Sequence, residues 1–168
     1  MGEIAAREGM TLELNVYGGA ALAIAYDLRR ATLDVDAVIR SGTADFRKFA
    51  LQVAREFDWP DDWANDAVKG FLSAEEDMQV ILEAPGIRVQ VPSADYLLAM
   101  KAMAMRIDAA EPKDREDIEA LIKRAGYATA EQVLELVERH YPRHLVLPKT
   151  RFGIIEIMER LQQKKDQP

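Results

Sequence analysis

The sequence predicts an α+β fold: a small mixed β-sheet flanked by helices, followed by a C-terminal helical bundle. Three observations carry this. Short alternating apolar–polar runs occur only before residue 92. From Ser93 onward the chain falls into four stretches bounded by helix caps and stops. And the 168 residues, 49% of them apolar, suffice for a core without disulfide or metal staples. The reading divides the chain into an α/β core at residues 1–92 and a helical region at residues 93–168.

The elements follow in order. Residues 12–16 (LELNV) alternate and read as a strand. Gly18-Gly19 breaks it, and residues 20–27 (AALAIAYD) read as a short buried helix. Residues 32–39 (TLDVDAVI) alternate again and read as a second strand with one charged face. Ser41-Gly42 reads as a turn, and Thr43 as the cap of a helix over residues 44–57. Residues 58–66 (DWPDDWAND) read as a turn-rich connection. Residues 78–83 and 87–91 flank Pro85-Gly86 and read as a hairpin. Ser93 caps a helix over residues 94–107. Pro112 opens a second helix that Gly126 ends, Thr129 caps a third that Pro142 stops, and residues 150–162 form a fourth. Residues 162–168 read as a frayed polar tail.

Composition excludes several function classes. With no cysteine there is no thiolate nucleophile, disulfide or Cys-ligated metal. A net charge of −7 argues against a broad basic face for nucleic acid. No apolar run is long enough for a membrane span, and residues 1–10 lack the apolar centre of a signal peptide, so a cytoplasmic location is expected, with no membrane partner.

The chemistry concentrates in residues 16–39. If Asp34 and Asp36 lie on a strand, they are i and i+2 and share a face. Neighbouring carboxylates repel unless something positive sits between them. A hard divalent cation such as Mg²⁺ would resolve this, holding waters and a substrate phosphate as further ligands; a water-facing strand side is the other reading. Gly18-Gly19 lets a backbone approach a ligand closely and leaves N–H groups that suit a phosphate, or it is only a tight turn. Neither the Rossmann nor the P-loop glycine pattern is present.

Gly18-Gly19, fourteen intervening residues and Asp34-Val35-Asp36 together resemble the signature of the DNA polymerase β-like nucleotidyltransferase superfamily. Arg30-Ala31-Thr32-Leu33-Asp34-Val35-Asp36 resembles the form found in its AbiEii-like branch, which includes toxins of bacterial toxin–antitoxin pairs. Two later motifs are similar to that branch as well: Leu97-Leu98-Ala99-Met100-Lys101 with Ala104, and Lys113-Asp114-Arg115-Glu116-Asp117-Ile118. The resemblance spans residues 16–121.

It implies a nucleotidyltransferase fold and an enzyme that moves an NMP from an NTP to an RNA (tRNA) or protein hydroxyl. Mg²⁺ or Mn²⁺ would be held by Asp34 and Asp36 and would activate the acceptor hydroxyl for in-line attack. Nucleotide contacts would come from Gly18, Gly19, Arg30, Thr32 and Lys101. Lys101, with Asp114 or Asp117, would complete the catalytic set. A toxin role would imply a cognate antitoxin.

The residues themselves agree in kind. Lys101 sits among methionines and alanines and needs an anionic partner, nucleotide phosphate being one candidate. Asp114 and Asp117, at i and i+3, share a helix face. One departure stands out. Many members carry a third acid in an apolar-acid-apolar strand triplet, and here Val89-Gln90-Val91 has a glutamine there. That keeps a second reading open: a degenerate member that binds nucleotide or a partner without turnover. A non-enzymatic interaction module is a third.

His140 and His144 have zinc spacing, but Pro142 intervenes and no further ligand accompanies them, so they read as surface histidines. Trp59 and Trp63 read as a loop packed on the core, since a base-stacking role wants basic neighbours.

Overall fold

The computed structural model describes residues 1–28, 32, 34–65, 67–106 and 112–166, leaving aside the side chains of residues 43, 67, 112, 165 and 166. The chain forms two units. One comprises Met1–Gly70 and Asp77–Ser93, the other Phe71–Glu76 and Ala94–Pro168. The architecture is α+β: a five-stranded mixed sheet, with the helices of the second unit at its C-terminal side in sequence.

The first unit is built on strands β1 (Leu12–Val16), β2 (Val35–Ser41), β3 (Ala64–Asn65), β4 (Met78–Ala84) and β5 (Ile87–Pro92), in the order β3-β2-β1-β5-β4. β1 runs antiparallel to β2 and parallel to β5, and β4 and β5 form the antiparallel hairpin around Pro85-Gly86. Leu12, Leu14 and Val16 are buried and Glu13 is exposed, the alternation expected of a half-buried strand. Asn15 breaks it, being only 5% exposed.

Among the described residues this unit holds the α-helices α1 (Gly2–Arg7), α2 (Gly18–Ile24) and α3 (Thr43–Phe57). α3 buries Phe46, Phe49, Ala50, Val53 and Ala54, an i, i+3, i+4, i+7, i+8 stripe that faces the core. α1 lies by β5, where Gly86, at φ +77°, packs against the backbone of Gly2 and Ala6. No side chain fits there, which explains why the hairpin turns on a glycine.

In the second unit α4 (Ala94–Ala104) packs against α5 (Pro112–Ala125), α6 (Ala130–His140) and α7 (Pro148–Asp166). α4 buries Tyr96, Leu97, Leu98, Ala99, Met100 and Ala102 around most of its circumference, as a central helix must. Ile118, Leu121 and Ile122 of α5, Val133, Leu136 and Val137 of α6, and Ile154, Ile157 and Met158 of α7 complete its core. Two tyrosines stitch residues 71–76 to this unit: the Tyr141 hydroxyl donates to Phe71 O at 2.5 Å, and Tyr96 Oη accepts from Ser73 N–H at 2.9 Å. α6 opens on a full capping box, with Thr129 accepting from Gln132 N–H and the Gln132 side chain accepting in return. That geometry holds the Glu131 carboxyl below its ordinary value, through its own backbone N–H and the Thr129 hydroxyl.

Several expectations are corrected. The second strand begins at Val35, so Asp34 precedes it. Strand pairing starts only where Val35 meets Ala64, and the Thr32 hydroxyl instead donates locally to Asp34 Oδ1 at 3.0 Å. Gly18-Gly19 opens α2 and does not precede it. The α3 cap is Gly42, at φ +80°, and Thr43 is its first helical residue. α4 ends at Ala104, before residue 107. The expected polar tail continues α7 to Asp166, because Leu161 is buried and Lys164 Nζ pairs with Glu119 Oε2 at 2.9 Å. His140 is half-buried and stacks on Tyr96 at 4.9 Å; only His144 is a surface histidine. α1 and β3 were not expected.

Candidate functional site

The sequence-derived site residues fall into two clusters, each within one unit. In the first unit the turn from β1 into α2 sits directly on β2. Tyr17 N–H donates to Asp36 O at 2.8 Å, which ties the turn to the strand. Gly18 has φ +60°, a conformation that side-chain-bearing residues avoid. A Cβ placed on Gly18 would lie 2.6 Å from Asp36 Oδ2 and 3.6 Å from its Cγ. The backbone conformation favours glycine here, and a side chain would in addition have to displace the Asp36 carboxylate. Gly19 follows as the second residue of α2 and is half-buried.

Asp36 is half-buried within β2, and Asp34 is exposed just ahead of it. The shared-face argument from a strand thus covers Asp36 but not Asp34, whose carboxylate is oriented by Thr32. Arg30 lies outside the described residues, as do Arg29 and Leu33.

Strand register shows what shares a face with Asp36. Val38 is two residues on, Val38 stands opposite Asn15, and Asn15 stands beside Gln90. Asp36, Asn15 and Gln90 thus project from one face of three consecutive strands. Sequence reasoning passed over Asn15. Its signal was present, as the second polar residue in the alternation of β1, but burial of an amide is a tertiary fact. Its Nδ2 lies 3.4 Å from Tyr17 Oη, so Asn15 also supports the residue that opens the Gly-Gly turn.

The second cluster joins α4 to α5. Lys101 Nζ lies 2.8 Å from Asp117 Oδ2 and 3.8 Å from Asp114 Oδ1. The side chains are 15% exposed for Lys101, 6% for Asp117 and 25% for Asp114. The i, i+3 spacing on α5 turns both acids toward the lysine. The anionic partner that Lys101 was expected to need is thus supplied by the chain itself. Asp117, nearer and more deeply buried, is the primary one.

Comparison with protein-family models, curated proteins and solved structures finds no significant match. The functional reading therefore rests on the residues and their geometry.

Among the described residues, no group of three or more His, Asp or Glu side chains is placed to hold a metal ion. A pair of carboxylates still fits Mg²⁺, which commonly takes one or two protein carboxylates and fills its octahedron with waters and phosphate oxygens. Asp36, half-buried beside a glycine turn, and Asp34, exposed just ahead of β2, are the two carboxylates at this end of the strand. No helix among the described residues is long and apolar enough to cross a membrane.

The Gly18 contact yields a direct test. Gly18→Ala should lower stability by about 1–2 kcal/mol, from the left-handed backbone alone, and should displace the Asp36 carboxylate. Urea unfolding of the two proteins measures it. Equal midpoints would mean that the turn relaxes away from Asp36 without cost.

Proposed function

We propose that this chain is a Mg²⁺-dependent nucleotidyltransferase, moving an NMP from an NTP to a hydroxyl of an RNA, such as a tRNA, or of a protein. The single observation that carries the reading is the contact of Gly18 with Asp36. It brings the two halves of the sequence signature, a glycine turn and a strand acid, side by side: a Cβ on Gly18 would lie 2.6 Å from Asp36 Oδ2. A triphosphate laid against the turn would have a carboxylate-bound cation within reach.

In this reading Asp34 and Asp36 hold Mg²⁺ or Mn²⁺, which supplies charge neutralisation at the phosphates and a more acidic acceptor hydroxyl. Gly18 and Gly19 leave room for the phosphates, since neither carries a side chain. Thr32 fixes the Asp34 carboxylate through its hydroxyl. In the second unit Asp117 and Asp114 hold Lys101 in one position; its contact with nucleotide is proposed from its motif position alone. Arg30 is proposed as a phosphate contact from its motif position alone. A role as the toxin of a toxin–antitoxin pair, with a cognate antitoxin, is part of the same proposal and rests on the motif resemblance.

A second reading has its own support. Gln90 stands on β5 where the superfamily pattern has an acid, on the same face as Asp36. A neutral amide cannot act as a base, so the protein would then bind nucleotide, or a partner, without turnover. Transfer of label from α-³²P-labelled NTPs with Mg²⁺ to extracted RNA and protein separates the two. Labelled macromolecule that disappears in Asp36→Asn establishes the transferase. Nucleotide binding without any transfer, across all acceptors, establishes the degenerate form.

A further inference from the structure

The connection after α3 carries an aromatic surface that the proposed chemistry does not use. Phe57 is 57% exposed and Trp59 is 49% exposed. Their rings lie 5.5 Å apart, and Trp59 meets Trp63 edge-on at 5.2 Å, so the three rings form one continuous cluster. Trp63 anchors the loop on α3, its indole N–H donating to Ala50 O at 3.0 Å. The backbone is anchored at three further points: Trp59 N–H to Ala54 O at 2.8 Å, Trp63 N–H to Pro60 O at 3.1 Å, and Val35 N–H to Trp63 O at 2.7 Å. Asp58, at φ 54°, turns the chain between Phe57 and Trp59.

Two exposed large aromatics on an anchored loop are costly to leave in water and are typical of contact surfaces. The rim decides the chemistry. Asp58, Asp61 and Asp62, interleaved with the aromatics in the same loop, are all exposed. Aromatic faces attract cations, and carboxylates around them strengthen that preference. A nucleic acid, which would stack its bases on the same rings, would bring its phosphates against three carboxylates.

We propose that Phe57, Trp59 and Trp63, with Asp58, Asp61 and Asp62, form a docking surface for a lysine- or arginine-bearing segment of a partner protein. The cationic side chain lies over the Trp59 ring while the aspartates pair with its neighbours. The inference is independent of the transferase reading, since none of these residues belongs to the nucleotide site.

The test uses the full chain and a fluorescein-labelled peptide of repeating Arg-Gly-Lys-Gly units, followed by anisotropy, with tryptophan emission as second readout. Trp59→Ala should weaken binding by about fivefold or more, and Trp59→Phe should restore most of it. D61N/D62N should weaken binding by a similar factor and flatten its salt dependence. E116Q/E159Q, which removes the same charge from exposed positions of the second unit, should leave binding within about twofold. The proposal is overturned if Trp59→Ala binds as wild type, or if E116Q/E159Q loses as much as D61N/D62N, which would mean general charge attraction. It is equally overturned if an oligouridine binds as tightly as the peptide and with the same dependence on Trp59, which would make the surface a nucleic-acid site.

Discussion

Lys101→Met should destabilise the protein by about 3 kcal/mol, the cost of removing one partner from a buried ion pair. The reason is the carboxylate left behind. Asp117 is 6% exposed and sits 2.8 Å from the ammonium, and Asp114 adds a second negative charge at 3.8 Å. Without the lysine, two acids one helical turn apart on α5 lose the ammonium that both of them face. The loss should shrink by more than half in K101M/D117N, because the nearer charge goes with its partner. Urea unfolding of the four proteins of this cycle gives the coupling directly. A single variant within about 0.5 kcal/mol of wild type would show that the cluster is a solvated pair of surface quality. This prediction bears on function too: a lysine held this tightly is positioned, and its loss of stability must be separated from any loss of nucleotide affinity.

D34N/D36N should abolish Mg²⁺-dependent nucleotide binding while leaving the fold intact. Asparagine matches aspartate in shape, so the Gly18 contact with residue 36 and the Thr32 bond to residue 34 keep their geometry. What is lost is two negative charges, and with them the cation site. Thermal unfolding without ligand checks that the double variant keeps its fold. Calorimetric titration of Mg²⁺–NTP into both proteins measures the effect. Unchanged affinity in the double variant would remove the metal assignment from these residues.

How much of this was legible in the sequence depends on the range of the forces involved. β1, α5 and α6 announce themselves locally: alternation bounds the strand, Pro112 and Gly126 bracket α5, and Thr129 caps α6. α1 carries no side-chain cap and buries only Ala5, so nothing local distinguishes it from coil. β3 is two residues long and exists because Ala64 and Asn65 find Val35 and Asp36. The same pairing sets where β2 begins and leaves Asp34 outside it, which periodicity alone places inside. α7 outruns its expected end because Lys164 finds Glu119 across the bundle.

The candidate site follows the same division. Glycine pairs and acid spacing are legible as letters, and so are a lysine on an apolar helix and two acids at i, i+3. That Gly18 abuts Asp36 is set by antiparallel pairing of β1 with β2. That Asn15 is buried beside Gln90 requires β5 to return parallel to β1 from far along the chain. The exposure of Trp59 is not legible, since an aromatic-rich loop looks the same in sequence whether its rings point in or out.

The central claim is that the Gly18–Asp36 junction binds a nucleoside triphosphate with a divalent cation. Thermal unfolding with each of the four NTPs, with and without Mg²⁺, tests it most directly. Ligand at about one hundred times its Kd adds about 2.7 kcal/mol, a shift of several degrees in a protein of this size. A Mg²⁺-dependent rise with at least one NTP, absent in D34N/D36N, is the expected result and names the donor. No rise with any NTP in a folded sample, or a rise that survives in D34N/D36N, would contradict it.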